Sequence, residues 1–307
     1  MGSLHAEKLR ALEGEGALHF AGVYDLDTDR ARAVARRLEA PLLDGLEAVC
    51  RVADAVCIAV PTTLHAPIAA QMLEAGLDVL VEKPVATTRH EARRLLEVAD
   101  ARGRIVQVGH IERFSRALEA VRPMLTEPRF IEAHRIGPYP GRATDVGVVL
   151  DLMIHDLEIV SDWVGVEVDS IDAVGIPVLS ETEDIANARI RFRSGCVANL
   201  TASRVSLEPL RKLRLFQSDA YISIDFGANR IQVVRREGAP GGDTPPKIEG
   251  QTLDLDPADA LLGQDRAFAE SVRTRTAPVV GGGDGLRALE LALRIQESLT
   301  AFEDPGA

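Results

Sequence analysis

Apolar runs separated by amphipathic helical stretches fill the first third of the chain, and strict apolar/polar alternation takes over later. Phe20-Ala21-Gly22-Val23-Tyr24 reads as a short strand, followed by a helix from about Asp27 to Leu38. Residues 53–60, ADAVCIAV, form a near-continuous apolar strand, and the helix after it, over 65–75, stops at Gly76. The next strand covers 78–81. A helix rich in alanine, leucine and charge then covers 89–102 and ends at Gly103, before a further apolar strand at 105–108. Apolar strands spaced by helices of this length predict a parallel sheet covered on both faces. That is a doubly wound, Rossmann-like α/β domain, placed at residues 1–112.

After Glu112 the pattern changes. A helix over 114–122 leads to a strand near 130–136, and a long helix over 148–163 has Gly165 as its stop signal. Ala186, Ala188, Ile190 and Phe192 then alternate with Asn187, Arg189, Arg191 and Arg193, up to a turn at Ser194-Gly195. Cys196, Ala198, Leu200 and Ala202 alternate in turn with Val197, Asn199, Thr201 and Ser203. This predicts a β-hairpin with one apolar and one polar face. Further strands are expected at 212–217, 221–225 and 231–235, then a surface loop at 239–247 and two closing helices. Residues 113–307 are therefore expected to form an α+β domain with an open, mainly antiparallel sheet for substrate binding and assembly.

Composition narrows the partners. With 307 residues and 46% apolar content, the chain has ample core for two domains. A net charge of −12 argues against nucleic acid or an anionic membrane surface as partner. The three cysteines, Cys50, Cys57 and Cys196, lack metal-ligand spacing and read as reduced thiols, so no metal is expected and a cytoplasmic location is. No stretch approaches the ~18 apolar residues of a membrane span.

The opening of the chain departs from the dinucleotide-binding pattern. Such a domain needs a first strand and a Gly-x-Gly-x-x-Gly turn, because bare backbone must approach the pyrophosphate at a helix N-terminus. Here Met1-Gly2-Ser3 already heads a helix running to about Leu12. One reading makes Met1 an internal methionine just before the last glycine of the fingerprint, Gly2, with roughly a dozen residues upstream. The others are a cloning remnant or a real truncation. Asp25 stands where the second strand should end, and a carboxylate there binds ribose hydroxyls and repels a 2′-phosphate, favouring NAD over NADP. Asp25 could instead serve as a helix N-cap, a role Asp27 can also fill.

Two further sites can carry chemistry. Glu82-Lys83-Pro84 closes the apolar run Leu77-Asp78-Val79-Leu80-Val81, placing a lysine at a strand's carboxyl end, where open α/β sheets bind ligands. Alone, the tripeptide reads rather as a strand ending in a solvated lysine before a tight turn. Asp151 and His155, four residues apart, share one helix face, and a histidine beside a carboxylate can exchange a proton near neutral pH. An ordinary surface pair is the other reading.

Taken together, these segments resemble the Gfo/Idh/MocA oxidoreductase family. The likeness rests on Val60-Pro61-Thr62-Thr63-Leu64-His65, on Glu82-Lys83-Pro84, on Gly109-His110-Ile111-Glu112-Arg113-Phe114 and on Leu150-Asp151-Leu152-Met153-Ile154-His155-Asp156. It implies an NAD-dependent dehydrogenase acting on a carbinol, with Lys83, Asp151 and His155 as catalytic residues. It further implies Gly2, Asp25, Pro61, His65, Glu82 and Lys83 at the cofactor, a usually cis Lys83-Pro84 bond, and His110 facing the same crevice as a substrate contact, a structural capping histidine being the other reading. The wording resembles the nucleotide-sugar branch, with substrates such as UDP-N-acetylglucosamine. Tyr139, Arg142 and Arg204, with Arg211 and Lys212, could then supply a stacking group and cations for a diphosphate, although each taken singly reads as ordinary solvated surface. A free inositol or hexose dehydrogenase is the alternative, as is a non-catalytic sensor of dinucleotides or sugars. A homodimer or homotetramer is implied as well.

Overall fold

Helix signals and stop signals meet at the residues where the period changes. Helices α1 (Gly2–Gly14), α2 (Thr28–Leu38) and α3 (Leu46–Val52) lead to strand β1 (Ala55–Ile58). Helix α4 (His65–Glu74), strand β2 (Asp78–Glu82), helix α5 (Arg89–Arg102) and strand β3 (Val106–Gly109) follow. Helix α5 has the predicted bounds because both ends are chemically marked. Thr88 and Glu91 form a capping box at its start, and Gly103 takes the left-handed conformation at its end, φ 60°. Helix α3 has no counterpart in the sequence expectations.

The structure is a computed structural model and describes residues 1–139, 146–165, 167–237 and 247–300. The chain forms two compact units. One comprises Met1–Phe114 and Asp259–Leu286, the other Ser115–Ala258 and Arg287–Ala307.

In the first unit β1, β2 and β3 form a parallel sheet in that order. Strand β2 lies in the middle and is buried throughout. The buried Asp78 carboxylate is satisfied by the Ile105 amide, 2.8 Å away, and by Arg275. The strand expected at 20–24 is reduced to a single parallel bridge, Val23 to Leu42. Gly22 explains this: its φ of 144° breaks the extended run, and a Cβ there would lie 2.5 Å from the Pro41 carbonyl oxygen. Helix α8 (Ala260–Thr274) folds with this unit, its N-cap Asp259 bridged by Lys8 of α1 at 2.7 Å.

The second unit contains helix α6 (Arg116–Val121), strand β4 (Phe130–Ile136), helix α7 (Ile154–Val164) and strands β5 (Val168–Ile176), β6 (Ile185–Phe192) and β7 (Val197–Ser203). Strands β8 (Leu210–Phe216), β9 (Ala220–Asp225), β10 (Arg230–Glu237) and β11 (Lys247–Asp254) continue it, and helix α9 (Gly282–Ser298), which joins this unit from Arg287 on, leads to the short β12 (Leu299–Thr300). Among the described residues the sheet has nine strands, ordered β11-β10-β9-β8-β4-β7-β6-β5-β12. Its neighbours pair antiparallel except β4 with β7 and β5 with β12. The predicted hairpin is β6–β7, and its alternation separates a buried face from one that is exposed on β6 and largely half-buried on β7. Ala188, Ile190, Leu200 and Ala202 join Leu157, Ile159 and Val160 of α7 in one core. Each large side chain buried there contributes roughly 1.5–3 kcal/mol. Most of the loop expected at 239–247 lies outside the described residues; its last residue, Lys247, begins β11.

One helix differs from expectation. Instead of a single α-helix from residue 148, a π-helical turn, Val149–Met153, precedes α7. Glu183 presses against this start: its carbonyl accepts from the Val148 amide at 3.0 Å and its carboxylate from the Val149 amide at 3.3 Å. A Cβ on Gly147 would lie 2.0 Å from that carboxylate. Apolar periodicity reports which face is buried and is blind to one residue inserted into a turn.

Candidate active site

In the first unit, the start of α1 and the loop after Val23 border one cavity of about 410 Å³. Met1, Gly2, Ser3, Asp25, Arg30, Ala33, Val34, Arg37 and Ala59 line it. Helix α1 has neither a side-chain cap nor an acidic residue in its first turn. Its N-terminal amides therefore present positive charge, as anion-binding helix starts do. Asp25 caps the turn by accepting from the Asp27 amide at 2.9 Å, and Arg30 approaches it to 3.6 Å. Sequence reading missed Arg30 and Arg37, although their spacing of seven places both on one face of α2.

At the carboxyl end of the sheet, β2 delivers Lys83, half-buried, through the cis Lys83–Pro84 bond. His110 follows β3 and is buried. Its pKa is pushed down to about 3, first by burial and then by the nearby charges of Lys83 and Arg113. A neutral imidazole and the Lys83 ammonium are thus electrostatic neighbours. The His110 ring, expected at the crevice or as a structural cap, is almost wholly removed from solvent.

Two residues expected at the cofactor point their polar atoms elsewhere. The buried His65 ring sits between two backbone carbonyls, Pro84 O at 2.7 Å from Nδ1 and Val60 O at 2.9 Å from Nε2. It ties the ends of two strands together, with both nitrogens engaged, while Pro61 precedes its helical turn. The Glu82 carboxylate turns inward and accepts from buried His5, Nε2 to Oε1 2.9 Å. Both departures have one cause: a buried polar atom takes the nearest partner that satisfies it.

In the second unit, Asp151 lies in the π-helical turn and His155 in the first turn of α7, both half-buried. Asp156, next to His155, is held by a buried two-pronged pair with Arg135, Nε to Oδ2 3.1 Å and Nη2 to Oδ1 3.0 Å. This anchors α7 to β4 and with it the face bearing His155. Tyr139 is exposed, and Arg142 lies outside the described residues.

Arg204 is a correction. Instead of a surface cation for a diphosphate, it is buried and spends its donors internally. Its Nε donates to Asp184 at 2.7 Å, Nη1 to the Val146 carbonyl at 2.8 Å, and Nη2 to Ser180 and Thr182 hydroxyls at 2.8 and 3.0 Å. Burial would raise the Asp184 pKa. The Leu179 amide, Arg204, Ser180 and the Val178 amide outweigh it and hold the carboxyl well below its usual range.

Comparison with known proteins fits this geometry. The model of the Gfo/Idh/MocA oxidoreductase family, NAD-binding Rossmann fold, matches residues 1–110, and that of the GFO/IDH/MocA C-terminal domain matches 124–223. A UDP-N-acetylglucosamine 3-dehydrogenase from Acidithiobacillus ferrooxidans is 34% identical over 306 residues, covering 98% of this chain and 95% of that protein. The chain belongs to the Gfo/Idh/MocA oxidoreductase family. A solved structure of a dehydrogenase of that name and organism superposes with a TM-score of 0.90 at 33% identity, over 97% of this chain and 94% of its own. The scyllo-inositol 2-dehydrogenase (NAD(+)) of Bacillus subtilis is 28% identical over 272 residues, 80% of this chain and 75% of that protein.

As a Gfo/Idh/MocA member, the chain is an NAD-dependent oxidoreductase. At the cavity an uncapped helix start suits a pyrophosphate, and the Asp25 carboxylate suits ribose hydroxyls. Among the described residues no helix is long and apolar enough to cross a membrane, and no group of three or more His, Cys, Asp or Glu could hold a metal ion.

Proposed function

We propose that this enzyme oxidises one secondary hydroxyl of a sugar carried on a nucleotide, of the UDP-N-acetylglucosamine type, to a ketone. The observation that carries the reading is likeness to a UDP-N-acetylglucosamine 3-dehydrogenase along 98% of the chain. Bound NAD supplies the hydride acceptor. Lys83 orients and polarises the reacting oxygen, and its ammonium favours the alkoxide character that develops as hydride leaves. His155 takes the hydroxyl proton; because its Nδ1 is buried, Nε2 is the nitrogen assigned to that task. Asp151 orients the cation or holds a neighbouring hydroxyl of the sugar. Asp25 and the α1 start bind the dinucleotide, with Pro61 beside it. Tyr139, Arg142, Arg211 and Lys212 are proposed for the nucleotide, and Arg204 is withdrawn from that set.

NADH formation on UDP-N-acetylglucosamine, with free inositols and hexoses as comparison, tests the reading. We expect turnover on the nucleotide sugar and at least tenfold less on free polyols. The reverse preference would establish the second reading, a free inositol dehydrogenase, which the relative from Bacillus subtilis favours. Lys83→Ala or His155→Ala with turnover intact would remove that residue from the mechanism. We further propose a cytoplasmic homodimer or homotetramer. The free thiols at Cys50, Cys57 and Cys196 and the polar face of β6 and β7, exposed on β6 and half-buried at Asn199 and Thr201 of β7, support this, and light scattering in solution checks the assembly.

A further inference from the structure

Three ionisable side chains from distant parts of the sequence meet at the end of β2, immediately before Lys83. His5 of α1 donates through Nδ1 to Asp265 of α8, 2.8 Å to Oδ1, and through Nε2 to Glu82 of β2, 2.9 Å to Oε1. All three are buried, at 1%, 1% and 7% exposure, so solvent does not screen the contacts. An ionised carboxylate only accepts, so a ring facing one at each nitrogen must carry both protons. Burial alone would lower the His5 pKa, but the nearby Cys57 of β1 and the two carboxylates outweigh it and push it up to about 12. Burial raises the pKa of Asp265, and the charge of Glu82 adds to that rise.

The space for this arrangement is built in. A Cβ on Gly109 of β3 would lie 2.5 Å from Glu82 Oε1 and 2.9 Å from its Cδ. Only a residue without a side chain lets Glu82 pass across β3 toward His5. A buried ion triad adds little net stability over apolar side chains of the same volume. What it adds is direction, since each ring nitrogen accepts one partner at one angle. Helix α1 thus borders the dinucleotide cavity with Gly2 and Ser3 and grips the catalytic strand with His5, one turn further on.

We propose that His5 is a positioning residue: clamped between Glu82 and Asp265, it sets the end of β2, and therefore Lys83, in register with the helix start that binds the dinucleotide. The proposal rests on the role given to Lys83 above. The clamp touches no reacting atom; it acts through the one peptide unit that joins Glu82 to Lys83.

The variants are His5→Gln, Asp265→Asn and Gly109→Ala, the last displacing Glu82 without removing an ionisable group. We expect kcat to fall by about 10- to 100-fold per folded enzyme, with KM for NAD and for UDP-N-acetylglucosamine within about threefold, as misplacement of a reacting group produces. Lower thermal stability with full kcat per folded enzyme would reduce the triad to a structural brace and overturn the proposal. Two readouts do not depend on activity. In the native protein, nitrogen NMR should show both His5 ring nitrogens protonated from pH 6 to 9; a singly protonated ring at pH 8 overturns the proposal. The chain has four lysines, Lys8, Lys83, Lys212 and Lys247, so their methyl-labelled resonances are resolvable. That of Lys83 should move in His5→Gln or Asp265→Asn while those of Lys212 and Lys247 stay; a stationary Lys83 signal in both variants overturns the clamp. Lys83→Ala separates the two claims. If it retains turnover, the role of Lys83 fails; if it is inactive while His5→Gln keeps its kcat, only the positioning role fails.

Discussion

Removing Arg204 should unfold the second unit before it affects any ligand. Arg204→Ala deletes the partner of the Asp184 carboxylate, which is buried with its charge intact. The Val178, Leu179 and Ser180 amides still reach Asp184, at 2.8, 2.5 and 2.9 Å, but the Nε contact and its counter-charge are gone. The Val146 carbonyl and the Ser180 and Thr182 hydroxyls lose a donor too. Breaking one half of a buried pair costs about 3–5 kcal/mol. At a urea slope near 2 kcal/mol/M, that lowers the midpoint by about 1.5–2.5 M. The assay is fluorescence of Trp163, the sole tryptophan, which packs against the core of the second unit and reports its unfolding. Acid should mimic the change. The folded Asp184 pKa lies below the unfolded one, so its contribution is complete above the unfolded value, about pH 4, and fades as pH falls through the folded one. An unchanged urea midpoint combined with a tenfold higher KM for a nucleotide sugar would refute the reasoning and return Arg204 to the ligand.

Three other predictions concern the cofactor, the helix start and pH. Asp25→Asn should raise KM for NAD by about tenfold or more, since hydrogen bonds to a charged group contribute ~1.5–3 kcal/mol, and should narrow the preference over NADP in parallel kinetics. Gly147→Ala forces a Cβ against the Glu183 carboxylate and should cost about 1–3 kcal/mol by Trp163 fluorescence, with kcat falling as the start of the His155 helix shifts. The combined contribution of His110 and His5 to the stability of the first unit should peak near pH 6.5. His110 stays neutral when folded, so acidification toward its folded pKa of about 3 favours the unfolded state, by about 2 kcal/mol at pH 5. His5 stays charged when folded, so its contribution is complete below about pH 6.5 and fades as pH rises toward about 12. Urea titrations across pH check both limbs: His110→Gln should flatten the acid one and His5→Gln the alkaline one.

The sequence by itself determined most of what depends on local period, although it missed α3, the break at Gly22 and the π-helical turn before α7. The apolar runs became β1, β2 and β3, and the alternation at 185–203 became the β6–β7 hairpin. A capping box and a left-handed glycine marked both ends of α5. Lys83 was legible as a strand-end lysine because Val79, Leu80 and Val81 make an apolar run before Glu82 and proline stops the strand. The tertiary structure alone decided which charges meet. His5 is 77 residues from Glu82 and 260 from Asp265, and no period relates them. A hint was visible, for His5 shares the buried stripe of α1 with Leu12, seven residues on, but a stripe names a face and not a partner. Arg204 shows the same limit: an arginine after a strand reads as a surface cation until Asp184 is found beside it. Burial is a property of one element and is written in its pattern. Pairing is a property of two elements, and desolvation makes that pairing obligatory only once the fold has brought them together.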